Sequence, residues 1–179
     1  MKDRHQTKAP TAVLETDRLV LRHLTENDAA FILKLLNEPS FLRFIGDKGA
    51  RTLADARAYL LGGPIDSYAR HGFGLYLVAL KESGVPIGIC GLLQRASLPD
   101  VDLGFAFLPA YWRQGYAFES ASSVMAHERK TQGLRRIVAV TQPDNVASVK
   151  TLEKLGMTFE RMVRLTKGAP EIRLFASDG

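Results

Sequence analysis

Cysteine is almost missing from this chain: Cys90 is the single one among 179 residues. A disulfide framework within the chain is therefore excluded. Cys90 sits inside the apolar run Ile87-Gly88-Ile89-Cys90-Gly91-Leu92-Leu93, so a buried structural thiol is preferred over a nucleophile. Long hydrophobic runs are missing as well. No stretch approaches the ~18 apolar residues of a membrane span. The polar start Met1-Lys2-Asp3-Arg4-His5-Gln6-Thr7-Lys8 has no apolar signal-peptide core. A cytoplasmic protein with no membrane partner is expected. Neither sign of charge dominates: 24 Lys and Arg against 19 Asp and Glu leave a net charge of +5. That excess suits an anionic ligand. The basic residues are scattered, however, and only Glu128-Arg129-Lys130 and Arg135-Arg136 hint at clustering, so a nucleic-acid partner is disfavoured. His23, His71 and His127 lack metal-ligand spacing, and no metal is expected. The phosphate-loop pattern Gly-x-x-x-x-Gly-Lys-Ser/Thr is absent, and no Gly-x-Gly-x-x-Gly follows a strand. A phosphate-loop NTPase and a dinucleotide dehydrogenase are both disfavoured.

What is present is ordinary globular material, 46% hydrophobic and 24% charged. Residues 1–12 are polar and expected to be disordered, and residues 13–179 to form one domain. Arg18 to Leu24 alternates like a strand. Thr25-Glu26-Asn27-Asp28 looks like a helix start, with Phe31, Ile32, Leu35 and Leu36 on one face and Glu38-Pro39 ending it. Phe41 to Ala50 reads as irregular. Thr52 to Arg70 reads as a helix interrupted by Gly62-Gly63-Pro64. Phe73 to Leu80 and Val85 to Gln94 should form a hairpin, followed by a strand over Asp100 to Leu108. A helix from Phe118 to Lys130, a strand over Arg136 to Val140 and a helix from Asn145 to Leu155 come next. The last is expected to turn Val146, Val149, Leu152 and Leu155 inward. Met157 to Leu165 and Glu171 to Ala176 close the chain as a hairpin. The order predicts a layered α/β domain with a mixed sheet.

The segment between the strand at Asp100–Leu108 and the helix at Phe118 carries the chemistry. It reads Pro109-Ala110-Tyr111-Trp112-Arg113-Gln114-Gly115-Tyr116-Ala117-Phe118-Glu119. N–H groups in the first turn of a helix have no intrahelical partner, and the helix dipole adds positive potential there. Gly115 permits close approach of the backbone. A pyrophosphate cradle is expected, and with it a nucleotide-type cofactor.

With this cradle in place, the element order resembles the GCN5-related N-acetyltransferase (GNAT) superfamily, and within it the RimJ/RimL branch. Four segments carry the resemblance, which spans about residues 14 to 176. Thr16-Asp17-Arg18-Leu19-Val20-Leu21-Arg22 looks like the branch's opening strand. Asp102-Leu103-Gly104-Phe105-Ala106-Phe107-Leu108-Pro109 looks like its fourth strand. Tyr111 to Glu119 looks like its pyrophosphate loop, and Asn145 to Met157 like its last helix and the turn beyond. Trp112 stands where the wider superfamily pattern has Gln or Arg, as is common in this branch. The resemblance implies a mostly antiparallel sheet whose fourth and fifth strands splay apart, flanked by about four helices. It also implies acetyl-coenzyme A in the V between those strands. The backbone of Phe105 and Phe107 would hold the pantetheine arm. The N–H groups of Gln114, Gly115, Tyr116 and Ala117 would hold the pyrophosphate, with Arg113 as charge partner.

Three catalytic candidates follow. Asn145 and Ser148 share one face at the start of a helix. By resemblance Asn145 would hold the pantetheine amide, and Ser148 would hydrogen-bond or protonate the leaving sulfur. The alternative is that Asn145 merely caps the helix. Many relatives place a Tyr four residues after the Ser148 position, where this chain has Leu152. Asp102 would share a face with Gly104 and Ala106, whose small size would leave room for an acceptor. It would accept a proton directly or through water, or position a cationic amine. Phe41, Phe44, Tyr59 and Tyr68 fall where relatives build the acceptor lid, and ordinary packing is the simpler reading for each. The implied activity is direct acetyl transfer to a primary amine, first a protein N-terminal α-amino group, ribosomal proteins included. A small-molecule amine is the alternative acceptor. A catalytically silent acetyl-coenzyme A-binding module is the rival class. The state would be a monomer or a homodimer, the latter suggested by an apolar edge at Ile172-Arg173-Leu174-Phe175.

Overall fold

Short alternating runs separated by glycine turns, with helices between them, build a single sheet covered on both faces. A computed structural model describes residues 11–179. The chain order is β1 (Ala12–Glu15), β2 (Leu19–His23), α1 (Ala29–Leu36), α2 (Pro39–Phe44), α3 (Leu53–Leu60), α4 (Asp66–His71), β3 (Leu75–Leu80) and β4 (Pro86–Leu93). It continues as β5 (Asp102–Phe107), α5 (Tyr116–Gln132), β6 (Arg136–Thr141), α6 (Val146–Lys154), β7 (Thr158–Val163) and β8 (Ile172–Asp178). The sheet order is β1-β2-β3-β4-β5-β6-β8-β7. Every neighbouring pair is antiparallel except β5 and β6. This is the mixed, mostly antiparallel α/β sheet expected from the sequence.

The two faces are packed differently. On one, Leu19, Leu21, Tyr76, Val78, Cys90, Leu92, Leu103 and Phe107 meet Ala121, Val124 and Met125 of α5 and Leu152 of α6. On the other, Leu75, Leu77, Ala79 and Ile89 meet Ile32, Leu35 and Leu36 of α1 and Ala56 and Leu60 of α3. A buried polar contact fixes α5 in register. Tyr76 Oη donates to Glu128 Oε1 at 2.6 Å, and Glu128 is 1% exposed. A buried carboxylate needs such a partner, so the helix whose start forms the cradle is tied to β3.

Several expectations are corrected. Strand β1 precedes the first expected strand and already begins at Ala12, inside the segment read as disordered; residues 1–10 of that segment lie outside the described residues. The strands expected as fourth and fifth are accordingly β5 and β6. Pro39 ends α1 as expected but also opens α2, where its missing N–H costs nothing at the first helical position. The long second helix divides into α3 and α4 around a π-helical turn, Leu61–Ile65, that contains Pro64. Six α-helices therefore flank the sheet among the described residues instead of about four. Val146, expected inward, is 58% exposed at the first position of α6. The apolar edge inferred at residues 172–175 does not exist, because β8 lies between β6 and β7. Ile172, Leu174 and Phe175 are core residues, and that argument for a homodimer falls.

Candidate active site

The V between β5 and β6 arises from one short pairing. The two strands share a single register pair, Asp102 with Val138, closed by the Val138 N–H donating to the Val101 carbonyl at 3.0 Å. Backbone N–H and C=O groups of a strand residue point to one side and alternate along the strand. The Val101 carbonyl faces β6, so the groups of residues 103, 105 and 107 face β6 too. The Leu108 N–H agrees from the other side, donating to Ile87 on β4 at 2.9 Å. Past Asp102 no strand of the sheet pairs with β5 on this side, and the backbone of Phe105 and Phe107 looks into the gap. Phe105 is half-buried, so its unpaired groups call for a partner. Phe107 differs in one respect from expectation. Its carbonyl already accepts from the indole N–H of Trp112 at 2.8 Å, which leaves its own N–H for a ligand.

The cradle lies where the V opens. Gly115 is the N-cap of α5, with φ of 83° and no side-chain cap, so the N–H groups of Tyr116, Ala117 and Phe118 lack intrahelical partners. Arg113 has φ of 60°, the single non-glycine with positive φ among the described residues. A left-handed residue of this kind costs roughly 1 kcal/mol and persists only where surrounding contacts impose it. Alternation of left- and right-handed residues folds successive N–H groups into an anion-binding concavity. The Arg113 side chain is exposed.

At the other wall, Asn145 caps α6, its Oδ1 accepting from the Ser148 N–H at 3.2 Å. The capping role is thus real. Among the described residues its Nδ2 donates to no group, so it keeps two donors for a ligand. The Ser148 hydroxyl is half-buried and makes no hydrogen bond to a described residue. Leu152 is 1% exposed and points into the core, so its position offers nothing to the site. Asp144, just before Asn145, pairs with Arg43 of α2 at 3.0 Å.

Asp102 sits at the vertex of the V, on the face that carries α1 to α3. It is 1% exposed, and Arg95 Nε reaches its two oxygens at 3.0 and 2.9 Å. Burial pushes the carboxyl above its ordinary range, and Arg95 opposes that rise. The room expected beside Gly104 is taken by Leu93, whose Cδ1 would lie 2.6 Å from a Cβ added there. Cys90 is fully buried, and burial pushes its thiol up to about 12, which leaves it unreactive. Phe41 is 4% exposed and belongs to the core. Among the described residues no cluster of three or more His, Cys, Asp or Glu could hold a metal, and no helix is long and apolar enough to cross a membrane.

Sequence reasoning missed Trp112 as a backbone partner, Arg95 as the counterion of Asp102, and Arg18 and Thr16 against Glu119. Each joins residues from separate elements, and no local spacing signals such a pair.

A sheet split after one parallel pair, beside a helix start with unpartnered N–H groups, has the shape and donors that suit an anionic, extended ligand. The family profile described as an acetyltransferase (GNAT) domain matches residues 18–158. The chain is also 30% identical to an uncharacterized N-acetyltransferase, YoaA, of Bacillus subtilis, over 85% of this chain and 86% of that protein. The chain belongs to the GNAT family and is an N-acetyltransferase. Solved structures share its fold. An acetyltransferase from Agrobacterium tumefaciens, 23% identical, superposes with a TM-score of 0.80 over 98% of this chain and 99% of that one. RimL, a ribosomal L7/L12 alpha-N-protein acetyltransferase in complex with coenzyme A, is 17% identical, with a TM-score of 0.74 over 94% of this chain and 98% of that one.

Proposed function

We propose that this enzyme takes its acetyl group from acetyl-coenzyme A and passes it directly to a primary amine, foremost the α-amino group of a protein N-terminus. The observation that carries the donor half is two separate sets of unpartnered backbone groups, those of Phe105 and the Phe107 N–H in the V and the N–H groups of the first turn of α5. Those groups fit the cosubstrate: donors for an amide-bearing arm in the gap, and a concavity at a helix N-terminus for its pyrophosphate. The Phe105 N–H and carbonyl and the Phe107 N–H would hold the arm. The N–H groups of Gln114, Gly115, Tyr116 and Ala117 would hold the pyrophosphate, with Arg113 adding charge. Acetyl-coenzyme A supplies an activated thioester. Asn145 Nδ2 would orient the arm, and Ser148 Oγ would donate a hydrogen bond or proton to the departing sulfur. Asp102 is a positioning residue in this reading: covered by Arg95, it sets the charge at the vertex and does not meet the amine. The attacking amine therefore sheds its proton to solvent. Cys90 takes no part.

Two considerations favour a polypeptide acceptor. RimL, which shares the fold, bears the name of a protein N-terminal acetyltransferase. The Arg43–Asp144 pair next to Asn145 is exposed, its side chains at 67% and 61%, so it presents opposite charges to solvent where a chain end would approach. The test is thiol release from acetyl-coenzyme A against N-terminal peptides, ribosomal ones included, beside amino acids, polyamines and amine antibiotics. Peptide-dependent release with idle small amines is expected. The reverse pattern would replace the acceptor, and coenzyme A binding without turnover on any amine would make the chain a silent binding module.

A further inference from the structure

Arg18 leaves the β1–β2 turn and lies against the cradle with each of its guanidinium nitrogens in a contact. Its Nη1 donates to the Gln114 carbonyl at 2.9 Å. Its Nε and Nη2 meet Glu119 Oε2, each at 2.7 Å. Its guanidinium carbon is 4.4 Å from the centre of the Tyr116 ring. Glu119 is held in turn at its other oxygen, by the Arg18 N–H at 3.0 Å and the Thr16 hydroxyl at 2.6 Å. Burial would raise the Glu119 carboxyl, but these donors outweigh it and hold it below its ordinary range. A Cβ added at Gly115 would sit 3.3 Å from Arg18 Nη2.

We infer that Arg18, locked by Glu119 and Thr16, is a positioning residue that aims the backbone of the cradle at the pyrophosphate of the acyl donor. In a trans peptide the C=O and the following N–H point in opposite directions. Arg18 takes the Gln114 carbonyl, so the Gly115 N–H is turned away from Arg18, toward the concavity. Its contacts fall on residues 114, 116 and 119, which bracket Gly115 and follow the strained Arg113. Arg18 is therefore part of what imposes that left-handed geometry. Its charge is spent on Glu119, so it works through the loop and not as a free cation. The Arg18 side chain is 46% exposed, and a pair this exposed adds little to global stability.

The inference rests on the acetyl-coenzyme A reading above, and the experiment separates the two. Coenzyme A binding is measured by calorimetry, and steady-state kinetics are run against acetyl-coenzyme A, for wild type, R18M, R18K, E119Q and R18M/E119Q. Kd and KM should rise about tenfold in R18M, with kcat falling by less than Kd rises. R18K keeps the charge but not the fork that spans two partners, and should lie between. E119Q should weaken binding in the same direction. The double variant should bind no worse than the weaker single, because both substitutions release one device. Coenzyme A binding in wild type with an unchanged Kd in R18M overturns the inference alone. So does an E119Q that binds as tightly as wild type or tighter, the outcome for an arginine that touches the phosphates itself. If wild type does not bind coenzyme A, the cofactor reading falls and this inference with it. Should R18M fail to fold, R18K and E119Q decide the matter by the same criteria.

Discussion

Replacing Ser148 by alanine isolates chemistry from stability, because the structure gives its hydroxyl nothing else to do. Ser148 Oγ makes no hydrogen bond to a described residue, so its removal orphans no donor or acceptor. The cap on α6 is untouched, since Asn145 Oδ1 accepts from the Ser148 backbone N–H at 3.2 Å and alanine keeps that N–H. Alanine also favours a helix slightly over serine. The melting temperature of Ser148→Ala should therefore stay within about 2 °C of wild type. Turnover should not. A positioned proton or hydrogen-bond donor to a leaving group contributes about 10²-fold or more. With thiol release as the assay, kcat at saturating acetyl-coenzyme A should fall roughly 100-fold with KM little changed. Asn145→Ala supplies the contrast. It removes an N-cap worth about 1 kcal/mol, equivalent to a melting shift of about 2–4 °C in a chain of this size, and it should raise KM for acetyl-coenzyme A. A Ser148→Ala enzyme that keeps more than a third of wild-type kcat would refute the leaving-group role. A Ser148→Ala protein that melts as early as Asn145→Ala would refute the claim that the hydroxyl is structurally idle.

Cys90 should be silent to a thiol reagent in the native state and react once the chain is unfolded, since it is fully buried with its thiol pushed up to about 12. Cys90→Ala should keep turnover within about twofold; a large loss without unfolding would contradict direct transfer. Gly91→Ala should destabilise by about 3 kcal/mol or more, because its Cβ would fall 1.9 Å from the Gly74 carbonyl oxygen and 2.8 Å from the Leu75 Cα, both backbone. Denaturant unfolding that shows a loss under 1 kcal/mol would mean that β3 and β4 can part more easily than their packing implies. Asp28 gives a pH effect of known sign. Burial would raise its carboxyl, but Arg22, at 2.8 and 2.9 Å, and the Thr25 N–H hold it below its ordinary range. A depressed folded value contributes stability above the unfolded value near ~4, lost as pH falls through the folded one. The stability gap between wild type and Asp28→Asn should therefore narrow from about pH 5 downward, and a gap independent of pH would reject the pairing.

Much of the fold was legible in the residues because strands and helices announce themselves by local period. The hairpin of β3 and β4, helix α5 and the cap at Asn145 each depend on spacings within a few residues. The glycine-capped start of α5 was legible for the same reason: a strand, a glycine and a helix start in one short segment. Elements whose stability comes from neighbours were not. Strand β1 is four residues long and exists because β2 pairs with it. Helix α2 follows a proline that by local rules ends a helix, and Phe41 roots it in the core.

By itself the sequence determined the layered α/β class, the position of the glycine that caps α5 and the pairing of Asn145 with Ser148 on one helix end. All three follow from short-range geometry of the backbone. Only the tertiary structure decided that β8 inserts between β6 and β7, that Asp102 is covered by Arg95, that Trp112 takes the Phe107 carbonyl and that Arg18 grips the cradle. Those outcomes join residues from different strands, helices and loops. Their energies depend on burial and direction in the folded chain, which no spacing along the sequence encodes.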